Sequence, residues 1–108
     1  MRAEDKLTAV DFFAGSGLVS EGLNPYFQTL WANDICDKKA LVYRANFPDV
    51  QWDGRSIAEV RGSDVPAAHL AWASFPCQDL SIAGDMRGIS GGTRSALFWE
   101  WIRVLYLF

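Results

Sequence analysis

The chain has few of the residues that build metal centres, disulfide frameworks and nucleic-acid-binding surfaces. It contains one histidine and two cysteines, Cys36 and Cys77, in 108 residues, which is too few for a zinc cluster or a disulfide framework. Its net charge of −3 lacks the basic excess that usually accompanies nucleic-acid binding. No apolar run approaches the roughly 20 residues that span a bilayer, and the charged first residues do not resemble a secretory signal. We therefore expect a cytoplasmic protein with free thiols and no metal.

Short apolar runs alternate with helical segments along the chain. Strands are predicted over residues 7–13, 27–32, 50–53 and 70–75, and helices over 18–23, 35–46 and 95–108, with a weak helical turn at 57–60. The second helix is expected to bury Leu41, Val42 and Ala45. The last helix is apolar on all sides, which is typical of a buried helix, although few residues of the sequence remain to cover it. This alternation predicts an α/β fold with a partial doubly wound, mostly parallel sheet.

A glycine-rich turn, Asp11-Phe12-Phe13-Ala14-Gly15-Ser16-Gly17, follows the first predicted strand. Gly15 and Gly17 have no Cβ, so backbone there can approach a ligand closely. Asp34 ends the second strand 19 residues after Gly15, where an acid accepts hydrogen bonds from a ribose. Ser20 replaces the third glycine of the dinucleotide pattern, which disfavours a nicotinamide-dependent oxidoreductase.

Two further residues are candidates for contacts with a purine. Phe13 ends the first strand and could stack on the ring, although packing in the core is an open alternative. Asp53 ends the third strand and could accept a hydrogen bond from an adenine amino group, although a solvated turn is equally compatible with its position.

A second motif, Ser74-Phe75-Pro76-Cys77-Gln78, follows the fourth predicted strand. The proline stiffens the turn, and a thiol placed after a strand lies at the carboxyl edge of the sheet, where open α/β folds bind ligands. We predict that Cys77 is a nucleophile, reacting as its thiolate, whereas Cys36 lies in a helix and is expected to pack. The glycine-rich residues 79–94 are compatible with a surface loop or with a lid over Cys77.

These motifs resemble those of the cytosine-5 DNA methyltransferases. The glycine turn resembles the first motif of that family, and residues 75–81 resemble its catalytic motif. Asn33-Asp34, residues 43–48 and residues 94–98 also fall in the family's order. The resemblance covers nearly the whole chain and implies a Rossmann-like class I S-adenosylmethionine-dependent methyltransferase fold without its later strands. Residues 1–108 would then form the amino-terminal part of the catalytic domain.

The resemblance also implies a reaction and a set of site residues. Cys77 would attack carbon 6 of a cytosine flipped out of the duplex, and carbon 5 would take a methyl group from S-adenosylmethionine. The implied cofactor contacts are Phe13, Ala14, Gly15, Ser16, Gly17, Asp34, Ile35, Asp53 and Pro76. The implied contacts to the substrate are Phe75, Pro76, Gln78, Ser81 and Arg94.

The chain also departs from the family pattern. Leu18 and Asp34 replace residues that are commonly glycine and glutamate, Ile35 replaces a larger side chain, and Gly54 follows Asp53. The Glu-Asn-Val motif and the target-recognition region are absent from the sequence. We therefore expect a truncated enzyme of bacterial or phage type that is inactive or nearly inactive by itself and contacts double-stranded DNA through the absent region.

Three other interpretations remain open. The chain could be one half of a split methyltransferase with a complementary carboxy-terminal chain, or a relative of transfer-RNA cytosine methyltransferases. It could also be a module that binds S-adenosylmethionine without chemistry. The Phe75-Pro76-Cys77-Gln78 string favours DNA over transfer RNA as the substrate.

Overall fold

The computed structural model describes residues 2, 5–75 and 95–106. The described strands are β1 (Leu7–Phe12), β2 (Phe27–Asn33), β3 (Gln51–Asp53) and β4 (Leu70–Ala73). The described helices are α1 (Leu18–Leu23), α2 (Asp37–Asn46) and α3 (Ser95–Tyr106). Two short 3-10 turns, Ile57–Glu59 and Gly62–Asp64, lie between β3 and β4. The predicted order of elements is confirmed, and only the second 3-10 turn was absent from the prediction.

The four strands form one parallel sheet in the order β3-β2-β1-β4. Phe12 pairs with Asn33 of β2 and Ala73 of β4, and Asn33 also pairs with Asp53 of β3. The carboxyl ends of all four strands therefore lie along one edge of the sheet. The α/β, parallel-sheet prediction is confirmed.

One face of the sheet carries the larger apolar core. Val10, Phe12 and Trp31 point to this face, where Val104 of α3 and residues of the 3-10 segment cover them. The Phe12 and Trp31 rings meet edge to face with their centroids 4.9 Å apart. Arg103 of α3 joins the helix to the 3-10 segment, because its Nη2 donates to two backbone carbonyls of that segment at 3.0 and 2.9 Å.

The opposite face packs against α2 through Tyr43, and this corrects the predicted orientation of the helix. Leu41 and Val42 are 73% and 49% exposed, and Ala45 is also exposed, whereas Tyr43 is fully buried. The Tyr43 ring packs on Phe47 with a centroid distance of 4.9 Å. Its hydroxyl also has a buried hydrogen-bond partner, Ser20 of α1. The side of α2 that packs on the sheet is therefore the side that carries Tyr43.

Helix α3 buries only part of its apolar surface within the described structure. Val104 is fully buried, whereas Trp99, Ile102 and Tyr106 are exposed. The described residues therefore leave part of this apolar helix uncovered. None of the described helices has the length and apolar character needed to cross a bilayer.

Candidate cofactor cleft

The turn after β1 has an unusual backbone conformation at three positions. Phe13, Gly15 and Gly17 have φ angles of 56°, 57° and 105°. Left-handed backbone is uncommon at a residue with a side chain, and it occurs often at functional sites. A backbone hydrogen bond ties the turn to β2, because the Ala14 N–H donates to the Asn33 carbonyl at 2.9 Å. Phe13 is thus held at the carboxyl end of β1 in a conformation that a free chain rarely adopts.

Asp34 connects this turn to the start of α2. Its Oδ2 accepts a hydrogen bond from the Gly15 N–H at 2.8 Å, and its Oδ1 accepts one from the Cys36 N–H at 2.9 Å. The spacing of 19 residues predicts that Asp34 binds a ribose, and the structure shows that its carboxylate also contacts the glycine turn directly.

A cleft of about 320 Å³ opens at this edge of the sheet. This volume is at the lower end of the roughly 300–1,000 Å³ typical of small-molecule sites. The predicted residues that line it are Phe13, Gly15, Asp34 and Ile35. Of the described lining residues, seven were not predicted as cofactor or substrate contacts, namely Asn33, Lys39, Arg55, Ser56, Ile57, Ser74 and Leu97.

Three predicted residues build the turn and do not line the cleft. Ala14 is buried against Ala32 and Tyr43, and Ser16 is exposed to solvent. Gly17 is buried, and a Cβ at this position would lie 2.8 Å from Cε2 of Phe47. Gly17 therefore permits close packing of the turn against α2, whereas Gly15 faces the cleft.

Asp53 also does not line the cleft, because Arg55 binds its carboxylate. The Arg55 Nη2 and Nε donate to the two carboxylate oxygens at 2.7 and 3.0 Å, and Nη2 also donates to Asp64 at 3.1 Å. Hydrogen bonding from Arg55 lowers the pKa of Asp53 below its usual value. Arg55, and not the predicted Asp53, is therefore the residue of this pair that lines the cleft.

The described part of the Ser74–Gln78 motif reaches the cleft at Ser74. The Phe75 ring lies 5.2 Å from that of Phe13 and 5.3 Å from that of Trp101, centroid to centroid. The segment 79–94, predicted as a surface loop or a lid, lies outside the described residues. So do the predicted site residues Pro76, Cys77, Gln78, Ser81 and Arg94.

A buried polar network lies beneath the glycine turn. Ser20 Oγ donates to Asp11 Oδ2 at 2.8 Å and lies 2.7 Å from the Tyr43 hydroxyl. Asp11 is fully buried, and its Oδ1 has no hydrogen-bond partner among the described residues. Burial raises the pKa of Asp11 to about 6, with a further rise from the negative charge of Asp34, although the hydrogen bond from Ser20 opposes the shift. A carboxylate within an apolar strand was the sequence signal for this network.

We expect the stability of the protein to fall between about pH 4 and pH 6 because of Asp11. The unfolded chain loses the Asp11 proton near its ordinary pKa of 3.8, whereas the folded protein keeps it up to about pH 6. The folded state is therefore favoured at low pH, and ionisation of the buried group costs up to about 3 kcal/mol above pH 6. Urea unfolding of the wild type and Asp11→Asn at pH 4.5 and 7 measures this loss. The variant should lose clearly less stability than the wild type, and equal losses would contradict the assignment.

The fold and the cleft together define a class of protein. A parallel sheet with a glycine turn after β1 and a carboxylate after β2 is the arrangement of Rossmann-like, nucleotide-binding α/β domains. The model of the family described as C-5 cytosine-specific DNA methylase matches residues 7–106. The chain belongs to this family, as the resemblance of its motifs predicted.

Known proteins similar to the chain include two bacterial relatives. Type II methyltransferase M.Bsp6I of Bacillus sp. (strain RFL6) is 31% identical over 101 residues, which cover 92% of this chain and 32% of the relative. Type II methyltransferase M.NgoBI of Neisseria gonorrhoeae is 35% identical over 97 residues, which cover 89% of this chain and 30% of the relative. The chain thus spans about a third of the length of these relatives.

Solved structures support the fold. The S. pombe Dnmt2 methyltransferase matches with a TM-score of 0.70 and 22% identity, over 94% of this chain and 32% of that one. A putative DNA modification methyltransferase encoded within an E. coli prophage matches with a TM-score of 0.72 and 21% identity, over 93% of this chain and 28% of that one. At these identities the match concerns the fold.

Proposed function

We propose that this chain forms the S-adenosylmethionine site, and supplies the nucleophile Cys77, of a DNA cytosine-5 methyltransferase. The observation that carries the proposal is one shared cleft. Gly15 and Asp34 line it together with Ser74, which precedes Cys77 by three residues. Three residues of extended chain span about 10 Å at most, which supports the proposal that Cys77 reacts beside this cleft.

The residues of the cleft suit an adenosine-containing ligand. Among the described residues, a Cβ on Gly15 would come near Lys39 Cδ alone, at 3.7 Å, which is ordinary van der Waals contact, so a ligand atom can approach this part of the turn. Asp34 uses one hydrogen bond on each oxygen, and a carboxylate accepts about four, which leaves acceptors for ribose hydroxyls. Ile35, Ile57 and Leu97 provide apolar walls for a base. When bound, S-adenosylmethionine supplies an electrophilic methyl group.

In the proposed mechanism Cys77 carries the covalent chemistry. Its thiolate would bond to carbon 6 of a flipped cytosine, which raises the electron density at carbon 5 and makes that carbon a nucleophile. After methylation of carbon 5, loss of its proton and of the Cys77 sulfur restores the aromatic ring. Cofactor contacts from Ala14, Ser16, Gly17, Asp53 and Pro76 remain predictions, as do the DNA contacts of the catalytic motif, Phe75, Pro76, Gln78, Ser81 and Arg94.

The proposal extends to the setting of the reaction. Relatives named as type II methyltransferases support double-stranded DNA as the substrate and a bacterial or phage enzyme in the cytoplasm. We further propose that residues 1–108 are the amino-terminal part of the catalytic domain and that a complementary carboxy-terminal chain supplies the DNA-recognition region.

Cofactor binding tests the proposed site directly. We expect S-adenosylhomocysteine to bind the full chain in isothermal titration calorimetry. Asp34→Ala should weaken this binding at least about tenfold, because a hydrogen bond to a charged group contributes about 1.5–3 kcal/mol. Asp34→Glu keeps the carboxylate and should retain binding. Asp49→Ala removes the same charge from an exposed turn and should leave the affinity unchanged. Absence of binding by the wild-type chain, or equal affinities for Asp34→Ala and Asp49→Ala, would overturn the proposal.

A further inference from the structure

Lys39 reaches the cleft from the face of α2 that packs on the glycine turn. It precedes Tyr43 by four residues, which is about one helical turn, so both side chains lie on the same face. Tyr43 Cδ2 lies 3.1 Å from the position that a Cβ would have on Gly17, and Lys39 Cδ lies 3.7 Å from the corresponding position on Gly15. The alkyl chain of Lys39 therefore covers the residue of the turn that faces the cleft.

The charges in the cleft make Lys39 distinctive. Of the residues that the structure describes, three with charged side chains line it: Asp34, Lys39 and Arg55. The Asp34 carboxylate is hydrogen-bonded to two backbone amides, and the Arg55 guanidinium is paired with two carboxylates. No residue in the described ranges forms a hydrogen bond or an ion pair with the Lys39 ammonium. Lys39 is therefore the lining charge that has no protein partner in the described structure and can pair with an anionic group of a ligand.

We propose that Lys39 is a cofactor-binding residue that pairs with the carboxylate of the cofactor's amino-acid end. This inference rests on the proposed function, in which the ligand is S-adenosylmethionine. That molecule has one anionic group, its carboxylate, and the ribose hydroxyls are donors suited to Asp34. An ammonium on a flexible stem provides a strong, charge-assisted hydrogen bond to a carboxylate.

The test compares two ligands that differ only in this group. Wild type and Lys39→Met are titrated with S-adenosylmethionine and with decarboxylated S-adenosylmethionine, and methionine is chosen because it keeps an unbranched apolar stem over Gly15. We expect Lys39→Met to weaken binding of the first ligand about tenfold, as loss of a charge-assisted hydrogen bond does. Binding of the decarboxylated ligand should change less than twofold.

Two matched variants and a salt series complete the experiment. Lys39→Arg should keep most of the difference in affinity between the two ligands. Lys38→Met should keep all of it, because Lys38 is an exposed neighbour that does not line the cleft. In 0.5 M salt the wild type should prefer S-adenosylmethionine over the decarboxylated ligand by a smaller factor, since salt screens exposed charges. Equal losses for both ligands in Lys39→Met, or no loss for either, would overturn the role of Lys39 while leaving the cofactor site intact. Failure of the wild type to bind either ligand would instead overturn the proposed function and this inference with it.

Discussion

Replacing Cys77 by serine should abolish covalent capture of DNA that carries 5-fluorocytosine. A fluorine at carbon 5 cannot leave as a proton does, so a nucleophile bonded to carbon 6 stays attached to the base. Serine is a far weaker nucleophile than a thiolate at neutral pH, because its hydroxyl remains protonated. We propose to measure capture with a fusion of this chain to the part of the M.Bsp6I methyltransferase that follows the matched segment. A slowly migrating protein–DNA band on a denaturing gel reports the adduct.

The second cysteine provides the matched control for this experiment. Cys36 precedes α2 and donates its backbone N–H to Asp34, a bond that serine in its place can keep. The Cys36→Ser fusion should therefore form the adduct as the parent fusion does. An adduct that persists in Cys77→Ser would show that Cys77 is not the nucleophile. A parent fusion that binds S-adenosylhomocysteine and never captures DNA would contradict the proposed chemistry.

Gly17→Ala should destabilise the protein by about 2–6 kcal/mol. The φ angle of 105° is strained for any residue with a side chain, which costs about 1–3 kcal/mol. The new Cβ would also lie 2.8 Å from Cε2 of Phe47 and 3.1 Å from Cδ2 of Tyr43, and overpacking of this kind costs about another 1–3 kcal/mol. Urea unfolding followed by tryptophan fluorescence measures the change in the free energy of unfolding.

Two other glycines separate these causes. Gly15→Ala also places a side chain at a positive φ, 57°, but the new Cβ has room. We therefore expect the free energy of unfolding to fall by only about 1–2 kcal/mol. Gly22→Ala lies in α1 with open space around the new atom and should stabilise the protein by about 0.5–1 kcal/mol. If Gly17→Ala were as mild as Gly15→Ala, close packing of the turn on α2 would not be the reason for a glycine at this position.

The sequence predicted the parts of the structure that depend on local pattern. Alternation of apolar runs and helical segments predicted the parallel sheet, since each crossover needs its own helix. The contact between Gly15 and Asp34 was predictable because the carboxyl ends of neighbouring parallel strands meet at one edge.

The parts that depend on contacts between distant side chains could not be predicted. The predicted buried side of α2 was wrong, because the Tyr43 hydroxyl is hydrogen-bonded to Ser20, which itself donates to Asp11. Helical periodicity does not reveal that these residues lie close together. The different roles of Gly15 and Gly17 depend on where Phe47 packs. The capture of Asp53 by Arg55 depends on side-chain orientation, which spacing along the chain does not encode.

The hydrogen bonds of Asp34 give this residue a role in folding that does not depend on a ligand. Because both oxygens tie the backbone of the turn to the start of α2, selection for folding is enough to retain this acid in descendants that have ceased to bind a nucleoside. An aspartate at this position in a distant homologue is therefore evidence of a shared architecture first. Evidence that such a homologue still binds its ligand has to come from cleft residues that do not stabilise the fold.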